Sequence, residues 1–379
     1  MKKNCPHNHL KILYGKLILI FISVFILNSN AIAQHNLANL ETGMSNLIDS
    51  FYVNDTLPGV VVGVWTKDFQ YKKVVGKADL ETNVDRKFDD KIRIGSITKT
   101  FVATVILQLA GDGKIGLDDS LAKYYPDYPD GNKITIREML DMTSGIPDYI
   151  EDPAVLQSFV YDRLDKYTPL ELYKITKKMK PFFPQGTGWG YSNGSYNILG
   201  MLIEKITGNK LENEISDRIL KPLGLKNTSF PTSPYMEGQY SHGYMRNDTT
   251  NIIQDVTIMD PSIGWAAGAM ISNINDLEIY AMALANGTML NKNMQEERLK
   301  FVNTGVRDFF KYGLGIFSMS GFIGHNGGIT GYNTTMCYNP ELDVLIIVSV
   351  NRYGGGGGMS DKIFAEIAKL IYPDKKLFE

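Results

Sequence analysis

Three short groups of residues in this chain have the types and spacings that acyl transfer requires. The first is Ile94-Gly95-Ser96-Ile97-Thr98-Lys99, followed by Val102, Val105, Ile106 and Leu109 at helical period until Gly111 and Gly113 interrupt it. The spacing predicts Ser96 in the first turn of a helix and Lys99 one turn on. Residues three apart share a helix face, and a lysine in apolar or cationic surroundings can lose its proton and accept one from a serine hydroxyl. The helix N-terminus also favours negative charge developing nearby. Alone, the tetrad is equally what an N-cap serine with a surface lysine would give. The second group is Trp189-Gly190-Tyr191-Ser192-Asn193, in a Gly- and Pro-rich stretch before a helix expected from about Ser195. A loop there can aim Tyr191 and Asn193 into one cleft, with a tyrosine phenolate as general base where cations depress its pKa. An aromatic packing corner with a turn asparagine fits the same residues. The third group, Gly324-His325-Asn326-Gly327-Gly328, is expected on a strand edge. Glycines there admit a substrate close to the backbone, and a strand-edge N–H can donate to an oxyanion. A plain Gly-rich strand end is the alternative.

These groups need elements to hold them. Leu37, Leu40, Met44, Leu47, Ile48 and Phe51 mark an amphipathic first helix, and residues 60–65 and 70–75 read as strands joined by a turn. Near the other end, 322–325, 332–338 and 342–350 are strands, the last two joined by a turn at Asn339-Pro340-Glu341, and a final helix covers about 362–371. The middle has helical punctuation, with capping-box patterns at Thr135-Ile136-Arg137-Glu138 and Thr168-Pro169-Leu170-Glu171. The expected fold is therefore α+β: an antiparallel β-sheet built from both chain ends, flanked by helices, with a large inserted helical lobe. The sheet lobe takes about 34–110 and 265–379, and the helical lobe about 111–264. The glycine run at 354–358 reads as a surface connection and lacks the ending of a phosphate loop. His242 and Trp265 read as structural.

Composition limits the partners. The 379 residues are 44% hydrophobic and 21% charged, as in a globular enzyme. Residues 1–33 read as a signal peptide: Lys2, Lys3, Lys11 and Lys16 precede an apolar stretch at 17–27, and Ala31-Ile32-Ala33 offers a cleavage site. The stretch is too short to span a bilayer comfortably. The expectation is export to the periplasm or medium with no stable membrane span after cleavage, an uncleaved anchor being the alternative. Without the leader, 35 basic residues face 41 acidic ones, and no basic patch points to nucleic acid. Cys337 is then the only cysteine, so no internal disulfide can form. His35, His242 and His325 have no metal-ligand spacing, so no metal and no cofactor is expected.

Taken together and in order, Ser96-x-x-Lys99, Tyr191-x-Asn193 and His325-x-Gly327 resemble the three motifs of the serine β-lactamase and penicillin-binding-protein family, in its class C β-lactamase and D-Ala-D-Ala carboxypeptidase branch. The resemblance extends through Pro58-Gly59-Val60-Val61-Val62, Gly76-Lys77-Ala78-Asp79, Leu140 to Ile146, Pro222-Leu223-Gly224-Leu225, and Ala267 to Ser272 leading to Asp276-Leu277, and covers nearly all of 37–370. It implies a β-lactamase or transpeptidase-like fold and these roles. Ser96 attacks a carbonyl and is acylated. Lys99 and Tyr191 share the proton transfers as a coupled pair. Asn193 orients the lysine and the substrate. His325 and Gly327 belong to the substrate-binding strand, and the N–H groups of Ser96 and Gly328 form the oxyanion hole. The implied substrate is a small molecule or peptide with a hydrolysable acyl group, including cell-wall peptide. His325 stands where many members carry lysine, and a histidine is largely neutral near pH 7. The resemblance thus favours a carboxypeptidase-like peptidase or amidase, with an esterase or weak β-lactamase as alternatives.

Two rival readings remain. Gly190-Tyr191-Ser192-Asn193-Gly194 has the form of an α/β-hydrolase elbow with Ser192 as nucleophile, but 182–188 before it is loop-like where that elbow needs a strand. A non-catalytic module binding cell-wall peptides would retain the fold without turnover.

Overall fold

The β-branched run Gly59–Thr66 (β1) is buried at every position but the last. A strand without exposed alternation must be covered on both faces and paired along both edges. It is central in the computed structural model, which describes residues 37–247, 250, 252–353 and 358–379. The expected leader at 1–33 and residues 354–357 of the glycine run lie outside the described residues.

The other main strands are β2 (Gln70–Asp79), β3 (Val84–Asp85), β4 (Val302–Asn303), β5 (Phe310–Tyr312), β6 (Phe317–Met319), β7 (Phe322–Ile329), β8 (Tyr332–Asn339) and β9 (Val344–Val350). They form one nine-stranded antiparallel sheet in the order β3-β2-β1-β9-β8-β7-β6-β5-β4. Val62 stands opposite Lys73 on one side and Val348 on the other, which places strands from the two chain ends side by side. The α+β expectation of a sheet built from both ends is met.

Residues 37–54 are helical (α1), and from Ile48 to Glu379 the chain forms one compact unit. Four further helices matter for the site: α2 (Thr98–Gly111), α3 (Asn193–Thr207), α4 (Ile274–Asn286) and α5 (Met359–Ile371). Both α4 and α5 pack on β8 and β9, whose residues are all buried. Between Gly111 and Ile263 most elements are short helices, two of them opened by the expected capping boxes at Thr135/Glu138 and Thr168/Glu171. That region also holds a strand pair, Tyr244–Arg246 with Ile253–Asp255. Among the described residues, no helix is long and apolar enough to cross a membrane.

Some boundaries differ from the sequence reading. The last strand starts at Val344 because the Asn339 side chain accepts the N–H groups of Glu341 and Leu342, and Asp343 takes φ +48°, so the turn runs through 343. The third expected strand continues to Ile329, and the final helix begins at Met359. Strands β3 to β6 are two or three residues long, too short for a period-two pattern to register.

Candidate active site

Ser96 lies in a single 3-10 turn, Gly95–Ile97, that leads directly into α2, so it precedes the helix rather than sitting inside its first turn. Lys99 is the second residue of α2 and is fully buried. Its Nζ lies 3.1 Å from Ser96 Oγ, 2.7 Å from Asn193 Oδ1 and 2.7 Å from the Ala267 carbonyl oxygen. Burial pushes the Lys99 amine down to about 7, with the Asp148 carboxylate opposing the shift.

Asn193 is the first residue of α3, two positions earlier than expected, because Ser192 is the N-cap and its Oγ accepts from Ser195 N at 3.0 Å. Ser192 Oγ also donates to the Pro147 carbonyl at 3.1 Å, and the side chain is buried. With loop before it and a sheet that is antiparallel throughout, the α/β-hydrolase elbow is excluded. The Asn193 amide nitrogen donates to Asp148 Oδ2 at 2.8 Å, which fixes its oxygen toward Lys99. Asp148 is partly buried, and desolvation raises its carboxyl above the usual range.

The Tyr191 ring lies 4.6 Å below Lys99 Nζ. Its hydroxyl is buried beside Ser96, with no protein group in full hydrogen-bonding contact. Burial drives the phenol well above its ordinary value, opposite to the depression that a phenolate base would need.

The third group lies on β7, whose partner β6 reaches only as far as Gly324. From His325 onward one edge is therefore free of strands, and it runs against Ile94–Ser96. A Cβ on Gly327 would stand 1.9 Å from the Ile94 carbonyl oxygen and 3.1 Å from Ser96 N, and one on Gly95, at φ +50°, would meet the Gly328 backbone at 2.8 Å. Glycine at both positions lets the two backbones touch. Gly328 faces the cleft under the Tyr353 ring. His325 does not. Its ring is buried among Tyr191, Tyr312 and Phe317. Its Nδ1–H donates to the Asn326 carbonyl, and Nε2 accepts from the Tyr312 hydroxyl at 2.8 Å. Burial pushes it down to about 3. The expected substrate contact of His325 is replaced by a supporting position behind Tyr191, and Gly327 serves backbone packing.

A cleft of about 420 Å³ opens over Ser96, with Tyr191, Asn193, Gly268 and Gly328 in its wall. Sequence reasoning missed Asp148, the Ala267 carbonyl, and the cleft residues Tyr353 and Asp361. In sequence Asp148 reads only as a turn cap, and it does cap Tyr149–Glu151. Ala267 acts through its backbone, which side-chain identity does not report. Among the described residues, no group of three or more His, Cys, Asp and Glu could hold a metal ion. His242 pairs with Asp255 at 2.6 Å, and Trp265 packs on Gly200.

A mixed fold with a nine-stranded sheet built from both chain ends, and a cleft-lining Ser96 bonded to the buried Lys99 behind it, defines a β-lactamase-type protein. A family model described as Beta-lactamase matches residues 44–368, and the chain belongs to that family. It is similar to a solved D-stereospecific amidohydrolase from Streptomyces sp., 32% identical, with 84% of this chain and 95% of that one covered at a TM-score of 0.75. The D-amino acid amidase from Ochrobactrum anthropi SV3, solved with D-phenylalanine, shares the fold at 23% identity and a TM-score of 0.79, over 89% of this chain and 100% of that chain. A penicillin-binding protein of Bacillus subtilis (strain 168) is 26% identical over 343 residues, covering 83% of this chain and 72% of that relative.

Proposed function

We propose that the chain is an exported serine hydrolase that works through an acyl-enzyme on Ser96, as a D,D-carboxypeptidase-like peptidase or amidase. The observation that carries this is the hydrogen bonding of Lys99. A neutral amine has two N–H donors and one lone pair. Asn193 Oδ1 and the Ala267 carbonyl take the two donors at 2.7 Å each, so the lone pair is left for the Ser96 hydroxyl at 3.1 Å. With the amine lowered to about 7, the neutral form is well populated at physiological pH.

In the proposed reaction the Ser96 proton passes to Lys99 while Oγ attacks the substrate carbonyl. The N–H groups of Ser96 and Gly328 receive the oxyanion. The protonated Tyr191 hydroxyl hands a proton to the leaving group and regains one from Lys99. Water then attacks the ester with Lys99 again as base, and Lys99 returns that proton to the departing Ser96 Oγ as the acid is released. The D-stereospecific amidohydrolase and the amidase named above support an amide or peptide substrate of D configuration. Export rests on residues 1–33, and an exported location fits a cell-wall peptide substrate without identifying one.

Intact-mass analysis after fluorophosphonate treatment tests the reading. One adduct is expected on the wild type and on Ser192→Ala, and none on Ser96→Ala. An adduct that survives Ser96→Ala overturns it.

A further inference from the structure

The cleft holds one carboxylate that acyl transfer does not use. Asp361, in the first turn of α5, lines the same cavity as Ser96, beside Asn326, Tyr353 and Gly358. Its Oδ1 accepts from the Thr335 hydroxyl at 2.5 Å and its Oδ2 from the Asn326 amide at 2.9 Å. A carboxylate offers about four acceptor positions, so these two neutral donors leave about half unfilled. The neighbouring Gly358 keeps the approach open, since a Cβ there would stand 2.1 Å from Asp361 Oδ2. Among the described residues that line the cleft there is no lysine, arginine or histidine. Desolvation without a cation holds the Asp361 carboxyl above its ordinary value. A negative charge in a partly desolvated wall lacks a counter-ion that a ligand could bring. The remaining wall supplies Tyr149, Phe159 and Ile263 for an apolar side chain.

We propose that Asp361, positioned by Asn326 and Thr335, binds a substrate ammonium group, so that of the two activities proposed above the cleft favours the amidase, acting on α-aminoacyl amides and esters, over a carboxypeptidase, whose substrates carry a carboxylate. This rests on the assignment of the cleft to acyl transfer at Ser96 and specifies its substrate class. A carboxylate brought into the same cavity would face Asp361 with no cation among the described lining residues to receive it, since Lys99 is buried behind Ser96 and tied to Asn193 and Ala267.

The test measures binding apart from acylation. Phenethylamine and 3-phenylpropionate have the same ring and opposite charges, and calorimetry on Ser96→Ala reads their affinities without turnover. The amine is expected to bind, and the acid to bind at least about tenfold more weakly, as a charge-assisted hydrogen bond implies. Adding Asp361→Asn should cost the amine about tenfold or more, while Asp361→Glu, which keeps the charge, should retain part of the affinity. Thermal unfolding verifies that each variant is folded. Equal binding of amine and acid, or an amine affinity that Asp361→Asn leaves unchanged, overturns the proposal. Failure of fluorophosphonate to label Ser96 in the wild type is a separate result and counts against the acyl-enzyme alone.

Discussion

Lys99 Nζ and Asn193 Oδ1 stand 2.7 Å apart, and Asn193 is itself turned by Asp148 at 2.8 Å. An amide whose nitrogen is tied to a carboxylate can present only its oxygen to the lysine. The lysine therefore spends a donor on Asn193 and keeps its lone pair toward Ser96. Replacing Lys99 by methionine should slow Ser96 acylation by roughly 10²–10⁴-fold, the usual range for loss of a general base. Asn193→Ala leaves a base that is less well aimed, and about 10–100-fold is expected from the loss of one buried acceptor for a charged or polar donor. Rates of fluorophosphonate labelling measure both. A Lys99→Met enzyme that labels at the wild-type rate would remove lysine from the chemistry.

The dependence on pH should follow the amine. Below about 7 Lys99 takes up a proton and cannot accept one from serine, so labelling should fall on the acid side with a midpoint near 7. Asp148 holds that amine up by its charge, and in Asp148→Asn the acid limb should move to lower pH. A limb that moves upward in this variant would contradict the assignment. Tyr191 should contribute no acid limb, because its phenol lies far above neutrality.

His325 offers a stability measurement. Its imidazole is pushed down to about 3 in the folded protein, from an ordinary value of 6.5. Between those values the unfolded chain binds a proton that the native state does not. Folding stability should therefore fall as pH drops through about 6.5 toward 3, and the contribution is fully present above that window. In His325→Phe this part of the pH dependence should vanish from denaturant titrations, while the acid limb of labelling stays near 7.

The contact between the two backbones can be loosened by one methyl group. Gly327→Ala would put a Cβ 1.9 Å from the Ile94 carbonyl oxygen, and a cost of about 1–3 kcal/mol is expected, typical of overpacking a tight contact. Labelling should fall as well, since the displaced strand edge carries Gly328. Gly305→Ala provides the comparison. Gly305 has φ +69° and open space around its Cβ, so it should lose stability through backbone strain and keep its labelling rate.

The features legible in the sequence were those with a local signature. The buried run at 60–65, the helical period after Ser96 and the two capping boxes each depend on neighbours in the chain, and each element formed as expected. Asp148 and Asp361 carried no such signature. One reads as a turn cap and the other as an acid near the start of a helix, and only tertiary packing brings them to Asn193 and Asn326. Tyr191 shows the same limit in its chemistry. Its nearness to a cation could be anticipated, but the depth of burial that outweighs the cation could not.

The pairing of β1 with β9 sets an order on how this protein can come into being. Residues 60–66 pair with 344–350 in the interior of the sheet, so the first strand waits for residues through 350 to emerge before it finds this neighbour. Contacts so distant in sequence close slowly, because loop entropy is lost before pairing compensates it. A nascent chain ending before residue 344 has Ser96 and Lys99 in place by number but lacks β9, the strand that joins β1 to the part of the sheet carrying the opposite wall of their cleft. Assembly of the cleft thus waits for residues through 350.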